Sequence, residues 1–379
     1  MEIVSAIASI NALLIAILLA GKRRKSTSDF VLIAWTINFA FHFAIPFLIE
    51  RQVLLHESLW GLLMGIFVVL HAPFIFVYTN SLTVPGFRFD LKNFWHFGLI
   101  LIYVAAFIPY LILTPDERMT LVLNKQDLSF YTLLPMLMLL MLRVYFLIRT
   151  ILVLLKHQYS IKQSFSYEKE INLVWLKRIA YGFFALIVLS FFGYGLVSAR
   201  LISIFWMDYI LIMGNMLLFF YIVYSGYKQR AIQTMVADPV ASGKPKQPQE
   251  IKLGRSHKVK PVQEDNLDPV IQELLTIMKE EKLYLEPELN IGDIANLLKI
   301  HSHQLSKLIN SGLERNFFEF VNEYRVEEFK ILVADPRNKH ISILGLAMDA
   351  GFNSKATFNR IFKKNTGLTP SRFRDSYKF

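Results

Sequence analysis

The sequence predicts an all-α protein: a polytopic seven-helix membrane bundle, then a flexible linker, then a cytoplasmic double helix-turn-helix domain. Hydrophobic residues make up 54% of the 379 residues and charged residues only 19%, whereas globular domains average roughly 45–50% and 25%. Charged residues are sparse before Gly226 and dense after it. Long apolar stretches fill the first part and short amphipathic repeats the last, which predicts domains at 1–226, 227–268 and 269–379.

Seven apolar stretches approach or exceed the ~17–25 residues that a helix needs to cross the hydrocarbon core of a bilayer. They are residues 3–20, 30–49, 59–79, 96–113, 130–155, 179–198 and 208–225. Helices buried in soluble proteins rarely stay apolar for that length, so seven in series favour membrane spans. No basic segment precedes the first stretch, and Lys22–Lys25 follows it directly. This order favours an uncleaved anchor over a signal peptide.

The charges of the connecting loops predict the orientation of the spans. Eleven basic residues lie in the loops after spans 1, 3 and 5, and only four in the loops after spans 2, 4 and 6. The positive-inside rule therefore places the N-terminus outside and the C-terminus in the cytoplasm. Residues 1–226 carry a net charge of +6 and residues 227–379 carry +5. The second surplus is compatible with nucleic-acid binding.

Four polar residues lie near the middle of predicted spans: Asn38 and His42 in span 2, His71 in span 3 and Arg143 in span 5. A charged side chain at the bilayer centre costs at least ~2.5–3.5 kcal/mol, so it normally faces the interior of the bundle. One interpretation is a ligand pocket or coupling cluster that senses a small-molecule or membrane signal. The other is structural hydrogen bonding between helices, with Arg143 reaching out of a shorter span.

The sequence contains no pattern that predicts catalysis. The absence of cysteine excludes disulfides and thiolate metal sites. We find no carboxylate pair within the spans, no His-x-x-x-His zinc pattern and no glycine-rich phosphate loop. We therefore expect a protein that is not an enzyme, with no metal ligands and no cofactor.

The segment 238–268 is polar and rich in proline, glycine and lysine, which predicts a flexible connector. A long, loose tether transmits conformational change poorly. If the spans sense a signal, the sequence favours dimerisation or release from the membrane over a rigid lever. A homodimer contact would then lie in the spans or near Tyr221–Val236.

Two similar helix-turn-helix units follow a leading helix at about 269–282. In the first, Asn290 and Asp293 predict a near capping box, and Ser302 is the expected cap of a recognition helix at 303–310. Leu305, Leu308 and Ile309 share its buried face. The opposite face then presents His303, Ser306 and Lys307.

The second unit begins after an amphipathic helix at 316–334, which we expect to hold the two units at a fixed separation. Ser342 is the expected cap of its first helix, and Gly351 stands where the chain must turn sharply. Asn353 or Ser354 caps its recognition helix. At 100° per residue, the exposed face of that helix holds Ala356, Arg360 and Lys363, flanked by Lys355 and Thr357.

This C-terminal pattern resembles the AraC/XylS family of transcription regulators over about residues 270–377. The resemblance is carried by Ala347, Gly351, Phe352, Ser354, Phe358, Phe362, Lys363, Gly367, Thr369, Pro370, Ser371 and Arg374 at fixed spacing, and by Leu305, Ser306, Asn322, Tyr324 and Arg325 before them. It implies that both recognition helices enter successive major-groove segments on one face of double-stranded promoter DNA. The implied base-edge residues are His303, Ser306, Lys307, Lys355, Ala356, Thr357 and Arg360, and the implied phosphate contacts are Lys363 and Lys364.

RNA polymerase is an expected partner, and the apolar stretches and loop charges predict the bacterial inner membrane as the location of the lipid-embedded spans. Many members carry a soluble sugar-binding β-barrel where this chain has apolar stretches, so their effector chemistry does not transfer. The first hypothesis is a membrane-bound transcription regulator whose spans sense a signal. Two alternatives remain: a membrane receptor whose tail binds partners rather than DNA, and a DNA-binding regulator with a passive anchor.

Overall fold

A computed structural model describes residues 2–23, 25–50, 57–84, 86–88, 91–114, 116–117, 130–168, 171–228 and 267–377. Within these ranges the regular structure is helical, and one isolated antiparallel bridge joins Phe165 to Asn290. The predicted all-α class is confirmed. Contacts divide the chain into an N-terminal unit, residues 1–155 and 173–237, and a C-terminal unit, residues 156–172 and 238–379.

The N-terminal unit contains the apolar helices. In chain order they are α1 (Glu2–Ala20), α2 (Thr27–Glu50), α3 (Glu57–Thr83), α4 (Leu91–Gly98), α5 (Ile100–Ile112), α6 (Phe130–Ser164), α7 (Val174–Ser198) and α8 (Ile204–Lys228). Seven helical segments of the described chain are long and apolar enough to cross a membrane, judged by length and composition. Each of them overlaps one of the seven predicted stretches.

Two of these segments differ from the prediction. The fourth is interrupted at Leu99, directly after Gly98, a residue that weakens helices. The fifth does not end at 155, because α6 continues to Ser164 through a polar run. At 1.5 Å per residue the 35 residues of α6 span about 52 Å, more than the hydrocarbon core requires. Residues 156–164 of α6 belong to the C-terminal unit.

The C-terminal unit contains shorter helices. They are α9 (Leu267–Glu280), α10 (Ile291–Leu297), α11 (Ser302–Gly312), α12 (Phe317–Ala334), α13 (Ile343–Asp349), α14 (Lys355–Thr366) and α15 (Pro370–Ser376). Helices α10 and α11 form the first helix-turn-helix, and α13 and α14 form the second. The predicted linker, apart from its first and last residues, lies outside the described residues.

The helix starts of the first helix-turn-helix follow from its capping residues. Asn290 Oδ1 accepts hydrogen bonds from the backbone N–H groups of Gly292 and Asp293 at 2.9 and 3.3 Å, and Asp293 Oδ2 accepts from the N–H of Asn290 at 2.9 Å. The predicted capping box is confirmed. The predicted cap at Ser302 is wrong: α11 begins at Ser302, and the extended residue His301 precedes it. Gln304 Oε1 accepts from the N–H of His301 at 3.3 Å.

The second helix-turn-helix starts as predicted. Ser342 Oγ accepts from the N–H of Gly345 at 3.0 Å, and Ser354 rather than Asn353 caps α14. Thr369 caps α15, whose first residue is Pro370. Each cap provides a partner for a backbone N–H group that the helix itself leaves unpaired.

Helix α12 joins two separate apolar cores. Phe317, Phe320 and Val321 pack with α10 and α11, whereas Phe318, Val326 and Phe329 pack with α13 and α14. Adjacent phenylalanines therefore serve different cores, because successive helical residues point about 100° apart. Helix α12 therefore contacts both cores, and that it holds the two helix pairs at a fixed separation stays a prediction.

Gly351 lies where the second helix-turn-helix meets the turn before α10. Its φ is +91°, and a Cβ atom placed there would lie 2.3 Å from the backbone oxygen of Tyr284. Arg325 Nε donates to that same oxygen at 2.7 Å. Glycine is required here both by the backbone conformation and by the lack of space.

Candidate nucleic-acid interface

The first recognition helix, α11, is held by Leu305, Leu308 and Ile309, which are buried in the first core. His303 and Lys307 are exposed, and Ser306 is partly buried. The three predicted base-edge residues therefore lie away from the core, as their spacing predicted. Ser306 Oγ donates to Gln163 Oε1 at 3.2 Å, and Asn310 Nδ2 donates to the same oxygen at 2.6 Å.

The second recognition helix, α14, is held by Phe358, Ile361 and Phe362. Its opposite face presents exposed side chains of the types that contact bases and phosphates. These are Lys355, Ala356, Arg360, Lys363 and Lys364. Thr357 differs from the prediction: its neighbours leave it only 8% exposed, so it is the least accessible of the proposed base contacts.

Two cations of α14 already have protein partners. Arg360 Nη2 lies 2.7 Å from Glu168 Oε2, and the guanidinium stands 5.8 Å from the centre of the Phe318 ring. Lys364 Nζ lies 2.8 Å from Glu319 Oε1. The hydrogen bond from Lys364 holds the pKa of Glu319 below its usual value, and this carboxylate therefore stays charged at neutral pH. A base edge at Arg360 and a phosphate at Lys364 would have to replace these carboxylates.

The sequence did not predict that residues 163–168 lie against both recognition helices. The strongest anchor of this stretch is Ser166, which is 1% exposed. Its backbone N–H and its Oγ both donate to the Leu289 oxygen, at 3.1 and 2.7 Å. Its own backbone oxygen accepts from Asn322 Nδ2 at 3.0 Å and from Arg325 Nη1 at 3.2 Å. No local sequence signal links positions more than 120 residues apart.

Arg325 is a buried cation that organises this region. Its Nη2 donates to Ser166 Oγ at 3.1 Å and to the Glu286 backbone oxygen at 2.6 Å. Burial lowers the pKa of Arg325 to about 9, which still leaves the guanidinium charged at neutral pH. A buried charge of this kind is stable only when its donors are paired, and here they are paired mainly with backbone oxygens.

In the N-terminal unit, three of the four predicted sensing residues come together. Trp35 Nε1 donates to His71 Nδ1 at 3.1 Å, and His42 Nδ1 lies 2.9 Å from His71 Nε2. Since His71 Nδ1 accepts, its Nε2 carries the proton and donates to His42. Asn38 Nδ2 lies 3.2 Å from His71 Nδ1 and donates to the Phe67 backbone oxygen. All three predicted residues are buried.

Arg143, the fourth predicted sensing residue, is only partly buried. The part of the chain that the structure describes contains no group of three or more histidine, cysteine, aspartate or glutamate side chains suited to a metal ion.

The family match described next lies in the C-terminal unit. A family model described as a helix-turn-helix domain matches residues 294–376. The chain is 32% identical over 97 residues to the probable transcription factor PqrA of Proteus vulgaris, across 26% of this chain and 77% of that protein.

Two operon regulators match over shorter shares of their length. The chain is 27% identical over 86 residues to the Msm operon regulatory protein of Streptococcus mutans, across 23% of this chain and 30% of that protein. It is 26% identical over 86 residues to the melibiose operon regulatory protein of Escherichia coli K12, across 23% of this chain and 28% of that protein. The chain therefore spans less than a third of either operon regulator.

Proposed function

Since the chain belongs to the AraC family of helix-turn-helix transcription regulators, we propose that it is a membrane-bound regulator whose two recognition helices read one promoter site. The family consists of DNA-binding regulators and not of enzymes. The proposal adds three points to the family assignment: which residues read DNA, where the protein resides, and that its apolar half senses a signal.

One observation carries the DNA-reading part of the proposal. Two recognition helices stand on separate cores joined by α12, and each turns its polar face away from its core. On α14, Arg360 has the donors to read guanine O6 and N7, and Ala356 suits contact with a thymine methyl group. Lys355 and Lys363 supply charge for base or phosphate contact. On α11, His303, Ser306 and Lys307 take the corresponding positions.

The membrane part of the proposal rests on the helices of the N-terminal unit. Seven apolar helical segments of at least 18 residues are present among the described residues. Large apolar side chains such as Ile3, Ile17 and Leu18 on α1 are exposed, which suits contact with lipid. With the loop charges, this supports a bacterial inner-membrane protein with its N-terminus outside and the DNA-binding domain in the cytoplasm.

The sensing part of the proposal rests on the buried cluster of Asn38, His42 and His71. A polar cluster is costly within an apolar bundle and marks a functional region by default. The proposed input is a small-molecule or membrane signal, and the proposed output is promoter binding with recruitment of RNA polymerase. A homodimer of the N-terminal unit is compatible with this scheme and is not required by it.

Genome-wide DNA occupancy of the full chain in its host tests the DNA-reading part. We expect discrete peaks that disappear in Arg360→Ala and Lys307→Ala chains, with equal amounts of protein in the membrane fraction. Glu327→Gln is the matched control, because Glu327 is an exposed residue of α12 that pairs with Lys330. Peaks that persist unchanged in Arg360→Ala would contradict the assignment of α14 as a reader.

Reporter fusions test the location and orientation. A reporter active only outside the cytoplasm is fused after Ala20, and in a second chain after Phe379. The fusion after Ala20 is expected to be inactive, because the loop after α1 is predicted to be cytoplasmic. A third fusion, within the loop after α2, is expected to be active. Activity at the C-terminus would overturn the proposed orientation.

A further inference from the structure

Residues 156–172 lie in sequence between two apolar helices and yet belong by contacts to the C-terminal unit. We call the described residues of this stretch, 156–168 and 171–172, the docking segment. It comprises the last turns of α6 and the chain leading to α7. The linker 227–268 was the only connection that the sequence offered between the two halves, whereas the docking segment provides a second one.

The docking segment is bound in a specific way. Phe165 forms an antiparallel bridge with Asn290, and Ser166 donates twice to the oxygen of Leu289. Asn322 and Arg325, both fully buried, donate to the backbone oxygen of Ser166. Buried donors of this kind lose most when left unpaired, so they favour one defined occupant. Main-chain pairing combined with a buried side chain is a common way to bind an extended peptide.

Two side chains of the docking segment reach the recognition helices. Gln163 Oε1 accepts from Ser306 and Asn310 on α11. Glu168 Oε2 accepts from Arg360 on α14, where the exposed fractions of the two side chains are 15% and 51%. Both contacts present acceptor oxygens to donors of the recognition helices. Guanine presents acceptors in the same way in the major groove.

We propose that the face formed by α11, α12 and α14 is a docking surface for the docking segment, and that this segment and promoter DNA exclude each other. The inference rests on the proposed function, because Ser306 and Arg360 are the residues assigned to DNA reading. Two ligands that need the same donors cannot hold them together. The apparent affinity for DNA is then the intrinsic affinity multiplied by the fraction of chains whose docking segment is released.

The covalent connections of the docking segment allow the apolar helices to control the competition between this segment and DNA. The docking segment continues at one end into the apolar part of α6 and at the other into α7. A displacement of either helix acts on the segment through a few residues of chain. Coupling through the docking segment therefore needs no force along the long linker. A ligand that favours the released arrangement raises DNA binding by its difference in affinity for the two arrangements.

Reversible cross-linking tests the exclusion directly. The chain contains no cysteine, so Gln163→Cys/Asn310→Cys introduces the only thiols, at two positions that are not assigned to base reading. The full chain is held in lipid nanodiscs and treated with a short, reducible thiol-to-thiol cross-linker. The probe is sheared genomic DNA of the host. We expect an intramolecular cross-link, at least about tenfold weaker retention of specific fragments while it is closed, and recovery on reduction.

Weakening the contact is the complementary test. Glu168→Gln removes the charge that faces Arg360 and so weakens the docked arrangement. We expect roughly fivefold tighter retention of specific fragments, which corresponds to the loss of one partly exposed ion pair. Glu327→Gln is the control, because it makes the same change on α12 next to Lys330. Gln163→Ala/Glu168→Gln should retain fragments more tightly than Glu168→Gln alone.

The outcomes separate the two proposals. Failure of the cross-link to form, or equal DNA retention in closed and reduced chains, would overturn the exclusion while leaving the DNA-reading assignment intact. Weaker binding in Glu168→Gln would also overturn it, because the docking segment would then assist binding. Retention that is identical in wild type and Arg360→Ala would instead overturn the proposed reading function, and the inference with it.

Discussion

Both helix-turn-helix pairs place one residue with a left-handed backbone between their two helices, but the residue types differ. In the first pair it is Lys299, with φ of +58° and an exposed side chain. In the second it is Gly351, with φ of +91° and a buried position against the Tyr284 oxygen. The same turn accepts lysine where its Cβ meets solvent and requires glycine where a backbone atom fills the space. The neighbours of a turn, and not only its φ, decide which residue fits.

The two recognition helices differ in the chemistry of their contacts with the docking segment. Helix α11 meets the docking segment through neutral groups, Ser306 and Asn310 with Gln163. Helix α14 meets it through charge, Arg360 with Glu168. We therefore expect α14 to contribute more of the salt-dependent affinity for DNA and to respond more strongly to changes in the docking segment.

The largest expected effect is that of Gly351→Ala on stability. The added Cβ overlaps the Tyr284 oxygen and must also adopt a left-handed backbone, so we expect a loss of about 2–4 kcal/mol. Gly367→Ala is the matched variant, because Gly367 has φ of +75° but no atom within 4 Å of the added Cβ. It should lose only about 1 kcal/mol.

Amide hydrogen exchange of α13 and α14 in the full chain measures this difference. Faster exchange in Gly351→Ala than in Gly367→Ala is the expected result. Equal exchange in the two variants would mean that the close approach to Tyr284 contributes nothing, and the comparison of the two turns would fail.

The next effect separates base reading from phosphate contact on α14. Arg360→Ala should cost about 1–3 kcal/mol at specific sites and little at unrelated DNA, whereas Lys363→Ala should weaken binding to all sequences and lower the salt slope by about one. Titration of one specific and one unrelated duplex at several salt concentrations distinguishes these patterns. A uniform loss in Arg360→Ala would reassign that residue to the phosphate backbone.

Smaller losses of stability are expected when the two capping residues are replaced. Asn290 accepts two backbone hydrogen bonds and takes part in a reciprocal pair with Asp293, whereas Ser342 accepts one. We expect Asn290→Ala to cost about 1–2 kcal/mol and Ser342→Ala about 0.5–1 kcal/mol. Local hydrogen exchange at the first turns of α10 and α13 measures both. The reverse order would show that burial, and not capping, holds these helix starts.

The smallest effect is expected at the first turn. Lys299→Gly removes the energetic cost of a left-handed backbone at lysine, which stabilises the folded chain. It also raises the conformational entropy of the unfolded chain, which is destabilising, and the two contributions nearly cancel. The change in stability should stay within about 0.5 kcal/mol, measured by the same exchange experiment on α10 and α11. A loss above 1 kcal/mol would indicate that the Lys299 side chain makes a stabilising contact.

Much of this architecture was predictable because its signals are local. Apolar runs predicted the seven long helices, and the caps at Asn290, Ser342 and Thr369 follow from neighbouring residues. The end of α6 was missed because apolarity stops at Leu155 while helical structure continues through polar residues to Ser164. A hydropathy pattern marks where a helix meets apolar surroundings, not where it ends.

The candidate site was predictable only in part, for a related reason. Helical spacing correctly turned His303, Lys307, Arg360 and Lys363 away from the cores. It placed Thr357 on an accessible flank of α14. The angular position of a residue on a helix does not reveal how far neighbouring side chains cover it. The partners Gln163 and Glu168 are far from the recognition helices in sequence, so no period or motif could identify them.

Helix α12 has one more consequence, for the shape of the target site. It fixes two different recognition helices on a single chain, so the surface offered to DNA has no two-fold symmetry. A palindrome is the natural operator of a symmetric dimer, whereas a single copy of this chain matches an asymmetric sequence. Such a sequence has a direction. Reversing it at a promoter would therefore reverse the orientation of the bound chain along the DNA.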